Sequence, residues 1–189
     1  MIWIATLAAV AASCGDLLLL WVAAGGERGW LIIGNYLGVL FIPLYALGYR
    51  VVSELLNVRA IFWIGAYASA IGAAIHGVTA VTILSAASTN ASAGPFASLV
   101  PILPYLIPLW VLVAALSIVG SLLQVRAVRA DARLPRWFAW VNPLALTVAI
   151  AGIGAAFDSL AQYVVPAAPN LAHVFYFAAV AEGRRRHGS

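Results

Sequence analysis

Residues 2–24 read IWIATLAAVAASCGDLLLLWVAA, an apolar stretch in which Asp16 is the one charged residue. A helix needs about 20 apolar residues to cross the roughly 30 Å hydrocarbon core of a bilayer. A carboxylate near the centre of such a helix costs on the order of 2.5–3.5 kcal/mol, so it persists where it faces a bundle interior, pairs or functions. His76 lies equally deep in the third apolar stretch. These positions predict a membrane protein with a polar interior.

The composition supports the same class. The chain has 189 residues, of which 65% are hydrophobic and 8% charged, and its mean hydropathy is +1.03. A soluble domain carries about 25% charged residues. All ten basic residues are Arg, and they lie in short connecting segments, so the net charge of +4 indicates membrane topology and no nucleic-acid partner. The single cysteine, Cys14, excludes an intrachain disulfide.

The apolar stretches predict an all-α, polytopic membrane protein, a six-transmembrane-helix bundle that forms one domain over residues 1–189. The first stretch lacks a basic leader and an Ala-x-Ala cleavage site, so we expect it to be retained as a span. The sixth is the weakest, because Pro166 and Pro169 interrupt it. The predicted spans are residues 2–24, 30–50, 60–86, 98–125, 137–158 and 162–181.

The arginines favour six crossings over five. With six spans and a cytoplasmic N-terminus, every arginine except Arg28 lies on the cytoplasmic side, as the positive-inside rule requires. With five spans, the Arg184-Arg185-Arg186 tail would face outward. We therefore expect both termini to be cytoplasmic.

Polar residues of different spans are predicted to reach similar heights. At a rise of 1.5 Å per residue, alternating helix directions bring them into the outer half of the bundle. Asp158 is placed near the outer rim of the fifth span. The predicted group at similar heights consists of Asp16, Asn35, His76, Asn170 and His173.

Helical spacing places small and polar residues on shared faces. Such stripes allow close helix contact, and non-helical backbone at membrane depth is tolerated against protein or a wet cavity. Gly34-x-x-x-Gly38 has the small-xxx-small spacing. The outer halves of the fourth and sixth spans are therefore expected to form pocket walls. The stripes are Gly65, Ser69, Gly72, His76 and Thr79 on the third span, Pro101, Pro104 and Pro108 on the fourth, and Pro166, Pro169, Asn170, His173 and Phe177 on the sixth.

Each of these residues also has a purely structural interpretation. Asp16 can be an N–H acceptor that locks the bundle, and His76 and His173 can be core histidines bonded to backbone carbonyls. No cofactor is predicted, although haem or a metal at His76 and His173 has the right ligand types. Tyr45 and Tyr49 are interpreted as interfacial aromatic residues towards the inner end of the second span.

Several short motifs resemble an uncharacterised family of bacterial six-span membrane proteins, a domain of unknown function. The resemblance rests on Gly15-Asp16-Leu17-Leu18, Gly34-x-x-Leu37-Gly38, Leu44-Tyr45-x-x-Gly48-Tyr49, His76, Asn142-Pro143 and Pro169-Asn170-Leu171-x-x-x-Phe175. It supports six spans and implies the bacterial inner (cytoplasmic) membrane as location. It also marks Asp16, His76 and Asn170, and it implies no activity.

The leading hypothesis is an intramembrane enzyme that acts on a lipophilic, isoprenoid-like or lipid-like molecule. Its acid–base chemistry would be isomerisation, cyclisation or epoxide opening, with Asp16 and His76 as the catalytic pair. Substrate would be bound by Asn35, Asn170, His173 and Asp158. Membrane lipids are the expected partners, and self-association is left open. The alternatives are a proton-coupled transporter or channel with an Asp16/His76 relay, and a non-catalytic lipid-binding or assembly subunit.

Overall fold

The computed structural model describes residues 1–23, 27, 29–89, 97–131 and 134–187, which form helices and connecting turns without a strand. Helices suit these apolar runs, because an α-helix satisfies its backbone hydrogen bonds within itself, which a hydrocarbon environment would require. The helices are α1 (Ile2–Ala23), α2 (Gly29–Phe41), α3 (Tyr45–Leu56), α4 (Arg59–Thr89), α5 (Leu103–Ala130), α6 (Pro143–Ala155) and α7 (Asp158–His187). Short 3-10 turns occupy Ile42–Leu44, Ala97–Ile102 and Arg136–Ala139. The all-α prediction is confirmed for the described residues.

Among those residues, five helical segments are long and apolar enough to cross a membrane. The second of them joins α2 and α3 through the 3-10 turn that contains Pro43. Proline lacks an N–H and interrupts the hydrogen-bond ladder, which explains the turn. The five segments are Ile2–Val22, Gly29–Leu56, Arg59–Ser85, Leu99–Ala130 and Asp158–Arg185.

The structure reverses the expectation for the last two predicted spans: the fifth contains only a short helix, and the sixth, predicted to be the weakest, is one long helix. The predicted span 137–158 is broken by a 3-10 turn and by Asn142-Pro143, and its helix α6 has 13 residues. At 1.5 Å per residue α6 is about 20 Å long, which is shorter than the hydrocarbon core. By contrast, α7 has 30 residues and runs through Pro166 and Pro169 without a break. A six-span bundle is therefore not established by these helices.

Glycines bring α1, α2 and α4 close together. A Cβ on Gly15 would lie 2.7 Å from the backbone oxygen of Gly34, and a Cβ on Gly34 would lie 2.9 Å from that of Gly15. A Cβ on Gly38 would collide with the imidazole of His76. The small-xxx-small prediction for Gly34 and Gly38 is confirmed, because both glycines lie where a neighbour leaves no room for a methyl group.

The main hydrophobic core fills one half of the molecule. It joins the start of α1, all of α3, the start of α4, and the ends of α5 and α7. We call this the arginine half, because Arg50, Arg59, Arg126, Arg129 and Arg136 belong to the same helix ends and turns. Arg28 and Arg133 lie outside the described residues. A second, smaller cluster of Leu19, Leu31, Ala80 and Ile83 lies towards the opposite ends of α1, α2 and α4.

Candidate functional site: a chamber with two hydrogen-bonded centres

A cavity of about 290 Å³, here called the chamber, lies between α1, α3, α4, α5 and α7. Aliphatic side chains make up much of its wall, including Leu19, Ile75, Leu103 and Leu106. At roughly 30 Å³ per water-sized unit, this volume accommodates about ten non-hydrogen atoms. Its polar lining residues are Asp16, Tyr45, Tyr49, Ser69, His76, Thr79, Ser117, Asn170 and His173.

Asp16 and His76 form the first centre. The Oδ1 atom of Asp16 lies 3.3 Å from Nδ1 of His76, and the two side chains are 14% and 7% exposed. The Nε2 atom of His76 lies 3.2 Å from the carbonyl oxygen of Gly34, which can only accept, so Nε2 carries a hydrogen. Nδ1 is then left facing the carboxyl group. This contact allows either partner to hold a proton, as a neutral acid beside an imidazole or as an ion pair.

Asn170 and Tyr45 extend this centre across the bundle. The Nδ2 amide of Asn170 donates to Oδ2 of Asp16 over 2.8 Å. The hydroxyl of Tyr45 donates to Oδ1 of Asn170 over the same distance. Both oxygens of the Asp16 carboxyl group thus have a polar neighbour, and residues from α1, α3, α4 and α7 are held in one network.

His173 and Tyr49 form the second centre. The Nδ1 atom of His173 lies 2.7 Å from the carbonyl oxygen of Pro169, so it carries the hydrogen. The Nε2 atom lies 2.8 Å from the Tyr49 hydroxyl and accepts from it. The imidazole also stacks on Tyr45, with ring centroids 4.6 Å apart. These partners specify a neutral imidazole.

The predicted convergence is confirmed for four of its five residues and fails for Asn35. Asp16, His76, Asn170 and His173 line one chamber. Asn35 is not among the lining residues, and its Oδ1 atom is buried without a hydrogen-bond partner among the described residues. Because Gly34 and Gly38 face α1 and α4, the neighbouring Asn35 is turned about 100° away.

Asp158 also lies outside the chamber. It is exposed, and it is the first residue of α7. A carboxylate in the first turn interacts favourably with the helix dipole, which explains its place without a role in the site. The substrate-binding prediction for Asn35 and Asp158 therefore has no support from the geometry.

The stripes are confirmed in large part on two helices and corrected on a third. Ser69, Gly72, His76 and Thr79 on α4, and Pro166, Pro169, Asn170 and His173 on α7, line the chamber. Gly65 lines a smaller cavity instead, and Phe177 is buried in the core. On α5 and the turn before it, Pro101, Pro104 and Pro108 are not among the lining residues. The wall there is built instead by Leu99, Leu103, Leu106, Trp110, Val113 and Ser117.

Tyr45 and Tyr49 were predicted to be interfacial residues and belong to the site instead. Both lie on one face of α3, four residues apart, and their partners Asn170 and His173 lie three residues apart on α7. Matched spacings of this kind on two helices are the signal that sequence inspection could have used.

Both ring nitrogens of His173 are hydrogen-bonded, as is Nε2 of His76, so binding haem or a metal at those atoms would require breaking a hydrogen bond. Nδ1 of His76 instead faces the Asp16 carboxyl group at 3.3 Å. Within the described part of the chain, no three His, Cys, Asp or Glu side chains group together in a way that could hold a metal ion.

Comparison with protein-family models, with curated proteins and with solved structures finds no match for this chain. The resemblance to a bacterial six-span family therefore stays a prediction, and the functional argument rests on the chamber itself.

Proposed function

We propose that the protein is an intramembrane enzyme that moves a proton on a lipophilic small molecule. The observation that carries the proposal is the contact of Asp16 with His76 at the edge of a largely aliphatic chamber. An acid–base pair in apolar surroundings is suited to isomerisation, cyclisation or epoxide opening, because these reactions need proton transfer and a dry site.

Asp16 is the group that touches substrate in this proposal, because its side chain is the more exposed of the pair. As a carboxylic acid it donates a proton to one alkene carbon, which leaves a carbocation on the other, and as a carboxylate it takes a proton from a carbon next to that cation. The double bond shifts, and the enzyme regains its initial state. For an epoxide, the acid form donates to the oxygen. His76 holds the compensating charge, and the Asn170 amide orients the carboxyl group.

The chamber wall supports entry of substrate from the bilayer. Trp110 borders the chamber and is 47% exposed, and Pro166 borders it from α7 and is also exposed. Helix α5 packs mainly against α4, whereas α7 packs mainly against α6 and α1. A lipophilic chain would enter between α5 and α7 and place its reacting part beside Asp16.

The first test identifies what the chamber holds. Purified wild-type protein is extracted, and co-purifying lipids and terpenoids are analysed by mass spectrometry. We expect a lipophilic molecule with an alkene or epoxide, and it should be lost when Ser69 on the chamber wall is enlarged by Ser69→Trp. Recovery of bulk membrane phospholipid alone, unchanged in Ser69→Trp, would contradict a specific substrate site.

The second test measures proton transfer without knowledge of the product. The extracted molecules and a panel of isoprenoid alkenes are incubated with the protein in D₂O, and deuterium incorporation is followed by mass spectrometry. Asp16→Asn and His76→Gln should each lower the rate by on the order of 10²–10⁴-fold. Asp158→Asn is the matched control, because this exposed carboxylate lies outside the chamber. Equal rates in Asp16→Asn and wild type would overturn the proposal.

A second candidate, a proton-coupled transporter, is favoured by one observation. Tyr49 borders the chamber and also a smaller cavity towards the arginine half, whose lining includes the polar residues Ser121, Gln124 and Tyr176. Polar groups therefore continue beyond the chamber. Liposomes with an enclosed pH-sensitive dye would show proton flux that Asp16→Asn abolishes, whereas the enzyme proposal predicts no flux. A subunit that only binds lipid would show neither flux nor deuterium transfer.

We also propose that the chain makes six crossings, with residues 136–155 as the fifth. The 3-10 turn and α6 together are longer than α6 alone, and the arginine distribution then leaves both termini on one side. Reporter fusions after residue 23 and after residue 187 test this. With six crossings, five lie between the two reporters and place them on opposite sides, whereas five crossings in total leave four between them and place both reporters on the same side.

A further inference from the structure

A second cavity of about 20 Å³ lies beside the chamber, on its arginine side. Tyr49, Ala68 and Ser117 border both cavities, so they form the partition between them. Residues of α3, α4, α5 and α7, together with Pro143 of α6, line the smaller cavity. A cavity of about 10–15 Å³ is the minimum that holds one water molecule, so this one has room for a single water.

Ser121 differs from three other serines of the helices. Serine in an apolar helix commonly donates to the carbonyl four residues before it. Ser13, Ser69 and Ser117 do so, at 2.8, 2.7 and 2.8 Å. The Oγ atom of Ser121 is buried, has no hydrogen-bond partner among the described residues, and belongs to a residue that lines the small cavity. A buried hydroxyl without a partner costs about 1–3 kcal/mol.

Acceptors for a water lie on the same wall. The Tyr176 hydroxyl donates to Oε1 of Gln124 over 2.8 Å, and the two hydrogens of the Gln124 amide bond the carbonyls of Phe138 and Val141. Each of the two oxygens retains a lone pair. A buried water needs two to four polar partners, and Ser121, Gln124 and Tyr176 supply them.

We infer that the small cavity is a binding site for one water molecule, which accepts from Ser121 and donates to the Gln124–Tyr176 pair. With this water in place, polar groups would extend from the chamber, past Tyr49, to the carbonyls of Phe138 and Val141. The inference stands apart from the proposed function, because it requires neither a substrate nor a reaction.

Radiolytic hydroxyl labelling tests the site, since radicals produced from a bound water modify the side chains beside it. Tyr176 and Phe177 are 1% and 0% exposed, and of the two Tyr176 borders the small cavity. In the wild-type protein Tyr176 should be modified and Phe177 should not. An unmodified Tyr176, or equal modification of both rings, would overturn the inference before any variant is made.

Two serine variants then identify the anchor. Ser121→Ala removes the hydroxyl that lacks a partner, and we expect labelling of Tyr176 to fall at least several-fold. Ser117→Ala is the matched control, because this serine borders the same cavity but donates to the carbonyl of Val113. In Ser117→Ala, labelling of Tyr176 should match that in the wild-type protein. Equal labelling in both variants would exclude Ser121 as the anchor, and thermal unfolding of each variant verifies that the fold is retained.

Discussion

The arginine half and the chamber half of the molecule are built from the same helices but are packed differently. In the arginine half, Val52, Val128, Phe177 and Val180 are fully buried. In the chamber half, the same helices separate around a cavity of about 290 Å³, and Trp110 on its wall is 47% exposed. The two halves of the molecule therefore have different structural roles. The packed half fixes the relative positions of the helices, and the open half uses those positions to hold Asp16, His76 and Asn170 around a space.

A cluster of aromatic side chains lies at the boundary between the two halves. Tyr45, Tyr49, His173 and Phe177 pack with ring centroids 4.6–5.8 Å apart. Their hydroxyl and imidazole groups bond residues of the chamber, and their ring faces join the core. If this division is right, equivalent substitutions in the two halves should have unequal effects on stability.

Truncation of a large ring should give the largest contrast. Phe177→Ala leaves a cavity in the packed half and should lower the free energy of unfolding by roughly 3–5 kcal/mol. Trp110→Ala enlarges a space that already exists, and we expect a loss of about 1 kcal/mol or less. Denaturant titration in one detergent compares them. Equal losses would show that the chamber wall is packed as tightly as the core.

Addition of a methyl group should give the next contrast. A Cβ on Gly48 would collide with the ring of Phe177, so Gly48→Ala should destabilise the protein by roughly 1–3 kcal/mol. A Cβ on Gly72 meets one atom, in Ile42, at 3.7 Å, and this glycine lines the chamber. Gly72→Ala should stabilise the helix by up to about 1 kcal/mol. The shift in thermal midpoint should therefore have opposite signs in the two variants.

Removal of one hydroxyl should give a smaller contrast. Tyr176→Phe removes a buried hydrogen bond to the Oε1 atom of Gln124 and also one of the partners inferred for the water of the small cavity, at a cost of about 1–3 kcal/mol. Tyr45→Phe leaves the Oδ1 atom of Asn170 without its donor, but Asn170 borders the chamber, where solvent or ligand can donate instead. Its cost should stay below about 1 kcal/mol. Unfolding free energies in the opposite order would place the tighter packing on the chamber side.

The sequence could predict the height of each polar residue, because height depends only on the rise per residue and the direction of the helix. That reasoning brought Asp16, His76, Asn170 and His173 together correctly. It failed for Asn35, since rotation about the helix axis is decided by neighbours. Gly34 and Gly38 have to face α1 and α4, and this turns Asn35 away from the chamber.

The tyrosines and the short helix α6 show a second limit. Tyr45 and Tyr49 have the composition of a membrane-interface belt, and hydropathy alone cannot separate that role from a bond to Asn170 or His173. Likewise, hydropathy alone runs the fifth predicted span through Asn142-Pro143, but the Asn142 side chain caps the first turn of α6, accepting from the N–H of Ala145 over 3.0 Å. In both cases the hydrogen-bond partner decides the role of the side chain. The partners of the tyrosines are distant in the sequence, and that of Asn142 is set by the local backbone geometry.

The smallest contrast concerns two aspartates, Asp16, which lines the chamber, and Asp158, which lies outside it. Asp158→Asn removes a charge from the first turn of α7, where a carboxylate contributes about 0.3–1 kcal/mol. We therefore expect a change in unfolding free energy of about 0.5 kcal/mol or less, and no change in co-purified ligand. Asp16→Asn should likewise retain the fold, because an amide oxygen can still accept from Asn170, but it should lose the acid–base contact with His76. Loss of ligand or activity in Asp158→Asn would mean that the site extends to the start of α7, and the chamber would then be only part of it.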